Sequence, residues 1–178
     1  FASKLPKMST WGGNNGEQSP KKNWSLEEAR GKLETYCSYQ ERCLWELRRK
    51  LFEKGIQGQA VDTILAELEA SGFVDEERFA RSYARGKFRI KKWGKGRITQ
   101  ELKGRQISSA LIQLGLTEID GDEYFATLER EAEKKWEKTK EKDGFKKRYL
   151  VTQYLMSKGF EQDLIQEALF PLISQEKE

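Results

Sequence analysis

The sequence predicts an all-α chain built from tandem three-helix units in an elongated, curved array. Three observations predict it. Apolar residues recur at helical spacing, and no segment shows β-branched alternation. Only three prolines occur, Pro6, Pro20 and Pro171. Finally, one pattern appears three times about fifty residues apart: an apolar residue, a polar link containing glycine, then another apolar residue. The pairs are Leu51 and Ile56 around FEKG, Leu102 and Ile107 around KGRQ, and Leu155 and Phe160 around MSKG. Each reads as the corner between two helices, closed by a residue in the left-handed conformation.

Residues 1–24 hold two prolines and a Gly-Gly-Asn-Asn-Gly cluster with little periodicity, and read as a flexible basic arm. Order is expected from Ser25, where Ser25 and Glu28 form a capping box. The first unit spans 25–72, with Val61, Ile64, Leu65 and Leu68 at core spacing after its corner. The second spans 73–117: Asp75 is its N-cap, Val74 and Phe79 staple the entry, and Ala110, Leu111 and Leu114 follow the corner. The third spans 118–174, with Leu164, Ile165, Ala168 and Leu169 as core and 175–178 as a tail. Within each unit a longer helix precedes the corner and a short one follows. Units this small bury little alone, so end-to-end stacking supplies the missing apolar contact.

Composition narrows function. With 37% hydrophobic and 35% charged residues, the chain resembles a thin binding fold more than a compact enzyme. There is no histidine, which excludes Ser-His and Cys-His nucleophile pairs and His-ligated zinc. Cys37 and Cys43, six apart in one helical stretch, match no zinc spacing and read as reduced packing thiols. No apolar run reaches the roughly 18 residues of a membrane span, so a cytoplasmic chain without catalysis, cofactor or metal is expected.

Basic charge is concentrated. Residues 78–105 carry eleven Lys or Arg against one acid, Glu101, a local +10 in a chain of +4. At about 100° per residue, Phe79, Tyr83 and Ile90 with Ala80 and Ala84 form a buried face, while Arg78, Arg81, Arg85, Arg89 and Lys92 share a stripe opposite. Solvating faces normally mix signs at i,i+4, so one sign points to an acidic partner: a phosphate backbone or an acidic protein groove. Lys95 and Arg97 continue this region. A second cluster, Arg48, Arg49, Lys50 and Lys54, lies on the long helix of the first unit. Gly94-Lys95-Gly96 lacks the strand and full pattern of a phosphate loop and reads as a helix C-cap turn. Asp120, Asp122 and Glu123 read as a helix cap rather than a metal site. Among the aromatics Trp45, Tyr83, Phe88 and Trp93, core packing is the default, with Trp93 the exposed one.

Residues 46–108 resemble the RecX regulatory proteins of bacteria, through Glu46-Leu47-Arg48, Leu51-x-x-Lys54-Gly55, Gly72-Phe73-Val74-Asp75, Arg78-Phe79-Ala80 and Gly96-x-Ile98-x-x-Glu101-Leu102. Gln106 departs from the pattern, standing where the family places glycine. The resemblance implies a monomeric regulator that lodges in the groove of the RecA filament on DNA, restrains its ATPase and strand exchange, contacts single- or double-stranded DNA, and catalyses nothing itself. Arg81, Arg85 and Arg89, then Lys92, Lys95 and Arg97, with Arg48 and Lys54 as a second contact, are the expected binding residues. The alternative is a helical nucleic-acid-binding protein with no recombinase partner, whose affinity would collapse steeply with salt.

Overall fold

A computed structural model describes residues 23–175. The described residues form nine helices and no strand: α1 (Leu26–Tyr39), α2 (Leu44–Glu53), α3 (Gln59–Ala70), α4 (Glu76–Lys91), α5 (Lys95–Gly104), α6 (Ser109–Leu116), α7 (Gly121–Lys138), α8 (Gly144–Ser157) and α9 (Gln162–Gln175). The main helix pairings fall within successive triplets, and the triplets follow one another as an elongated repeat.

Side chains start five of these helices as local chemistry dictates. Ser25 and Glu28 make the reciprocal capping box on α1, at 3.1 and 3.0 Å. Asp75, Ser108, Asp120 and Asp143 accept amide hydrogen bonds at the starts of α4, α6, α7 and α8. Residues 1–22 and 176–178, most of the expected arm and tail, lie outside the described residues. The end of the arm is held: the Trp24 amide donates to the Lys54 carbonyl at 3.1 Å, and the Asn23 side chain lies against Gly55.

All three corners adopt one hydrogen-bonded form. The Ile56, Ile107 and Phe160 amides donate to the Leu51, Leu102 and Leu155 carbonyls, while the amides just before them donate to Phe52, Lys103 and Met156. The residue between is left-handed each time: Gly55 at φ +82°, Gln106 at φ +62° and Gly159 at φ +92°. Gln106 therefore keeps the turn geometry that glycine gives the other two corners.

The apolar residues form two cores. Ala29 and Leu33 of α1, Leu47 and Leu51 of α2, and Val61, Ile64, Leu65 and Leu68 of α3 make the first. Helices α4 to α9 share the second, through which Phe88, Tyr124 and Phe160 run as a chain of tilted rings 5.7 and 5.3 Å apart. The second and third triplets meet backbone to backbone. The Gly94 amide donates to the Lys158 carbonyl at 2.8 Å and the Gly96 amide to the Gly159 carbonyl at 3.0 Å. A Cβ at Gly94 would lie 2.2 Å from the Gly159 carbonyl carbon. Tyr124 fills the remaining gap: its hydroxyl accepts from the Lys95 amide at 3.0 Å and donates to Glu161 at 2.5 Å.

Several sequence expectations are corrected. The left-handed C-cap of α4 is Lys92, and Gly94 is the N-cap of α5, so Gly94-Lys95-Gly96 starts a helix instead of ending one. On α4 the core face is centred on Ala80 and Ala84 and includes Phe88; Ile90, at the edge of that arc, is 76% exposed. On α6 it is Ile112 and Gly115 that are buried, because Gly115 packs directly on the Ala80 carbonyl; Ala110 and Leu114 face out. The long helix of each of the first two triplets is its first, not the one before the corner, so Arg48, Arg49 and Lys50 sit on the ten-residue α2. Cys37 is in α1 and Cys43 caps α2, in separate cores; both thiols are free, and burial pushes each up to about 11.

Two stability outcomes follow. Replacing Gln106 with glycine removes left-handed strain and is expected to stabilise the fold by about 1 kcal/mol. In thermal unfolding that is a rise of about 2–4 °C; a fall would show that the glutamine side chain holds something glycine cannot. Gly94→Ala forces a methyl into the Gly159 backbone and is expected to cost about 3 kcal/mol or more. A variant of wild-type stability would mean that the two triplets do not meet as described.

Candidate partner-binding cleft

Of the predicted residues, the outward stripe on α4 turns out to be paired within the chain. Arg78 Nε donates to Glu41 at 2.6 Å. Arg81 bridges Glu77 and Glu118 at 2.9 and 3.0 Å, Arg85 reaches Glu118 at 3.3 Å, and Arg89 lies 3.7 Å from Glu123. The carboxylates that balance the stripe come mostly from the turn after α6 and the start of α7. Inspection of α4 alone finds only Glu77, four residues before Arg81. Arg48 likewise pairs with Asp62 at 2.8 Å.

The remaining predicted cations are different. Lys54, Lys92, Lys95 and Arg97 have no carboxylate partner among the described residues. Lys54 lies over the Trp24 ring at 5.6 Å, Lys95 over the Tyr124 ring at 4.8 Å, and the Arg97 guanidinium over Trp93 at 4.1 Å, while also donating to the Ser157 carbonyl. Stacking fixes these side chains without neutralising them.

Arg97 belongs to a cleft of about 1050 Å³ whose walls come from all three triplets. One wall is Tyr36 of α1 with Trp45, Arg49 and Lys50 of α2; another is Arg97, Gln100 and Arg105 of α5; the third is Met156, Ser157 and Gly159 at the α8–α9 corner. Cations, rings and carboxylates alternate here: Glu46, Glu53, Glu101 and Glu161 also line the cleft, and Arg42, Arg49 and Arg105 pair with Glu46, Glu53 and Glu101 at 3.6, 3.5 and 2.9 Å. Arg42 and Lys50 flank the Tyr36 ring at 3.8 and 4.3 Å, and Arg49 stacks on Trp45 at 5.0 Å. Arg42 and Arg105 escaped sequence reasoning, and Trp45, read by default as core, stands in the cleft wall. The visible signal was Arg42, Trp45 and Arg49 at spacings of three and four, which puts one ring between two cations on a single face.

Arg105 ties this cleft to a second hollow of about 420 Å³ beside α4, to which Arg42 and Glu46 also contribute. It donates to Glu101 at 2.9 Å and to Glu46 at 3.4 Å, so it joins the second triplet to the first. That hydrogen bond holds the Glu101 carboxyl below its ordinary range, and burial pushes the nearby Tyr83 hydroxyl up to about 12. Among the described residues no cluster of three or more Cys, Asp or Glu is placed to hold a metal, and no helix is long and apolar enough to cross a membrane.

Three-helix units in tandem, with stacked cations lining a cleft that all of them share, define a helical-repeat binding protein. Comparison with known proteins gives the family. Residues 75–116 match the second three-helix domain of RecX, and residues 122–169 match the third. The chain is 30% identical over 128 residues to the regulatory protein RecX of Pelodictyon phaeoclathratiforme, covering 72% of this chain and 78% of that one. It is 31% identical over 127 residues to the regulatory protein RecX of Haemophilus influenzae, covering 71% and 82%. The crystal structure of RecX from Lactobacillus salivarius superposes with a TM-score of 0.71 at 22% identity, over 83% of this chain and 96% of that one, a likeness of fold. The chain belongs to the RecX family of regulatory proteins.

Arg105→Ala is expected to destabilise the fold by about 2 kcal/mol, because the largely buried Glu46 is left with only Arg42, at 3.6 Å, as a charged partner. It also changes the acid limb. Glu101 has a folded-state pKa below its ordinary 4.5, so its contribution is complete above that value and is lost as pH falls through the lowered one. Denaturant titrations from about pH 5 to about pH 3 should therefore show stability falling more steeply in the native chain than in Arg105→Ala. Equal slopes would mean that Arg105 does not hold Glu101.

Proposed function

We propose that this chain regulates the RecA recombinase by lodging in the groove of its filament on DNA and restraining ATP hydrolysis and strand exchange. It acts as a monomer in the cytoplasm, without a cofactor or catalysis of its own. The three units, 25–72, 73–117 and 118–174, serve as consecutive contact modules along the groove. The observation that carries this reading is the cleft shared by all three triplets, with the stacked Arg97 in its wall; Lys54, Lys92 and Lys95, outside its lining, form no ion pair among the described residues.

Within this reading the cations have two roles. Lys92, Lys95 and Arg97, with Lys54, meet acidic groups of the filament or DNA phosphates directly. Arg81, Arg85, Arg89 and Arg48 exchange their own carboxylates for those of the partner, at small cost because an exposed ion pair is worth only about 0–1 kcal/mol. The paired stripe also dictates the form of the test. Reversing Arg81, Arg85 and Arg89 to Glu would set new carboxylates against Glu77, Glu118 and Glu123 and strain the fold, so glutamine replaces them.

The test is the DNA-dependent ATPase of the cognate RecA, titrated at moderate salt with the native chain, a Lys92→Glu/Lys95→Glu/Arg97→Glu variant and an Arg81→Gln/Arg85→Gln/Arg89→Gln variant. Inhibition by the native chain, weakened about tenfold or more in the first variant and less in the second, is expected. Unchanged ATPase at saturating native protein, with salt-sensitive DNA binding retained, would replace this reading by plain nucleic-acid binding.

A further inference from the structure

Helix α8 combines an exposed apolar stripe with a cationic first turn, the latter shared with α5, which opens with Lys95 and Arg97. It is apolar around much of its circumference: Val151 and Leu155 are buried, yet the opposite face carries Phe145 at 81%, Tyr149 at 59% and Met156 at 43% exposure. At about 100° per residue these three lie within about 40° of one another. They form an exposed stripe whose far end, Met156, is already a wall of the cleft. Isolated exposed aromatics need no explanation, but an aligned pair of rings running into a cleft does.

The second feature is charge. Helices α4 and α7 open with acids, Glu76 and Glu77, and Asp122 and Glu123, as the positive end of a helix favours. Helix α8 has no acid in its first turn and opens with Lys146, Lys147 and Arg148, which that end disfavours. Asp143 accepts the Phe145 and Lys146 amides and Glu141 accepts the Asp143 amide, while Lys147 lies over the Trp136 ring at 4.5 Å and Arg148 donates to Gln166. Cations placed at an electrostatic cost beside unpartnered rings fit a ligand that is both anionic and flat-faced.

We infer that the exposed face of α8, from Phe145 and Tyr149 to Met156, is a base-stacking track that selects single-stranded nucleic acid over duplex. Phe145 and Tyr149 take bases on their faces, Lys146 and its neighbours meet the phosphates, and the strand continues into the cleft beside Arg97. Selectivity follows from geometry. The two rings stand about 6 Å apart along the axis, so they suit a strand stretched beyond its roughly 3.4 Å stacked spacing; in a duplex the base faces are already covered by one another. The inference rests on the DNA contact in the reading above but not on the recombinase.

The experiment measures binding of the full chain to fluorescein-labelled oligothymidylate and to a duplex of equal length by anisotropy, with no recombinase present. Phe145→Ala/Tyr149→Ala is expected to weaken single-strand binding about tenfold or more while changing duplex binding less than about twofold. Phe145→Leu/Tyr149→Leu should lose as much, since it keeps apolar area without a ring, and Tyr149→Phe should bind like the native chain. Both sites are exposed, so circular dichroism should report intact helices in every variant. Equal losses on both ligands, no loss, or a native preference for duplex would overturn the track. So would an unchanged affinity accompanied by loss of self-association in sedimentation, which would make the stripe a contact between copies. Because the ATPase titration is separate, inhibition that survives any of these outcomes leaves the regulatory reading standing.

Discussion

The contact on which the architecture turns is the seating of Gly94 and Gly96 on the carbonyls of Lys158 and Gly159. Backbone approaches this closely only where no Cβ intervenes, and it does so here between the start of one triplet's middle helix and the corner of the next. The amides of Gly94 and Gly96 are thereby satisfied by carbonyls of the neighbouring triplet, and that of Lys95 by its Tyr124 hydroxyl, instead of by an anion. The apparent phosphate loop thus has no amides to offer a phosphate. The same contact brings Tyr124 onto the Lys95 amide and Phe160 against Tyr124, closing one apolar core over six helices. It also carries Arg97 to the α8–α9 corner, and so helps to form the cleft.

The first triplet is joined differently. Most of its apolar core is its own, although Cys43 and Trp45 pack into the second core, and its polar links to the second triplet include Glu41 with Arg78, Glu46 with Arg105, and the Leu44 amide with Glu76. Burial holds the Glu76 carboxyl above its ordinary range although the Leu44 amide opposes this, and Glu41, Arg42 and Glu46 each keep one buried polar atom without a partner. Apolar burial gains a few kcal/mol per large side chain, whereas a polar contact exchanges water for protein at a gain nearer 1 kcal/mol. The second and third triplets thus share one core, and the first joins them through fewer apolar contacts, Cys43 and Trp45, and through weaker, more directional polar ones. The cleft lies across that weaker joint.

Much of this was legible in the residues. Caps at Ser25, Asp75 and Asp120 are local chemistry, and the corners at Gly55, Gln106 and Gly159 repeat a pattern that needs only the chain itself to form. What escaped were properties of packing between elements. The face of α4 was assigned from Phe79, its largest early apolar residue, but the helix is oriented by small ones, because Gly115 must reach Ala80. That rotation buries Phe88 and leaves Ile90 outside. The ion pairs escaped for the same reason: Arg81 and Glu118 are 37 residues apart and meet only because α6 packs back on α4. A like-signed helix face is therefore a statement about one helix and not about the surface it ends up on.

This distinction bears on how a basic protein is read. A cation already paired with a carboxylate adds little to the potential that an incoming polyanion meets, whereas one stacked on a ring keeps its charge and has lost much of its freedom to move. Arg97 on Trp93, Lys50 on Tyr36 and Lys95 on Tyr124 are of the second kind. A partner that meets them finds charge without having to break an ion pair first, and the side-chain entropy lost on binding is smaller because the rings have restricted those chains beforehand. The stripe on α4 must give up Glu77, Glu118 or Glu123 before it can offer the same. The same distinction holds within the cleft: Arg42, Arg49 and Arg105 are paired with Glu46, Glu53 and Glu101, whereas Lys50 and Arg97 are stacked and in no ion pair among the described residues, so these two demand the least work of a partner.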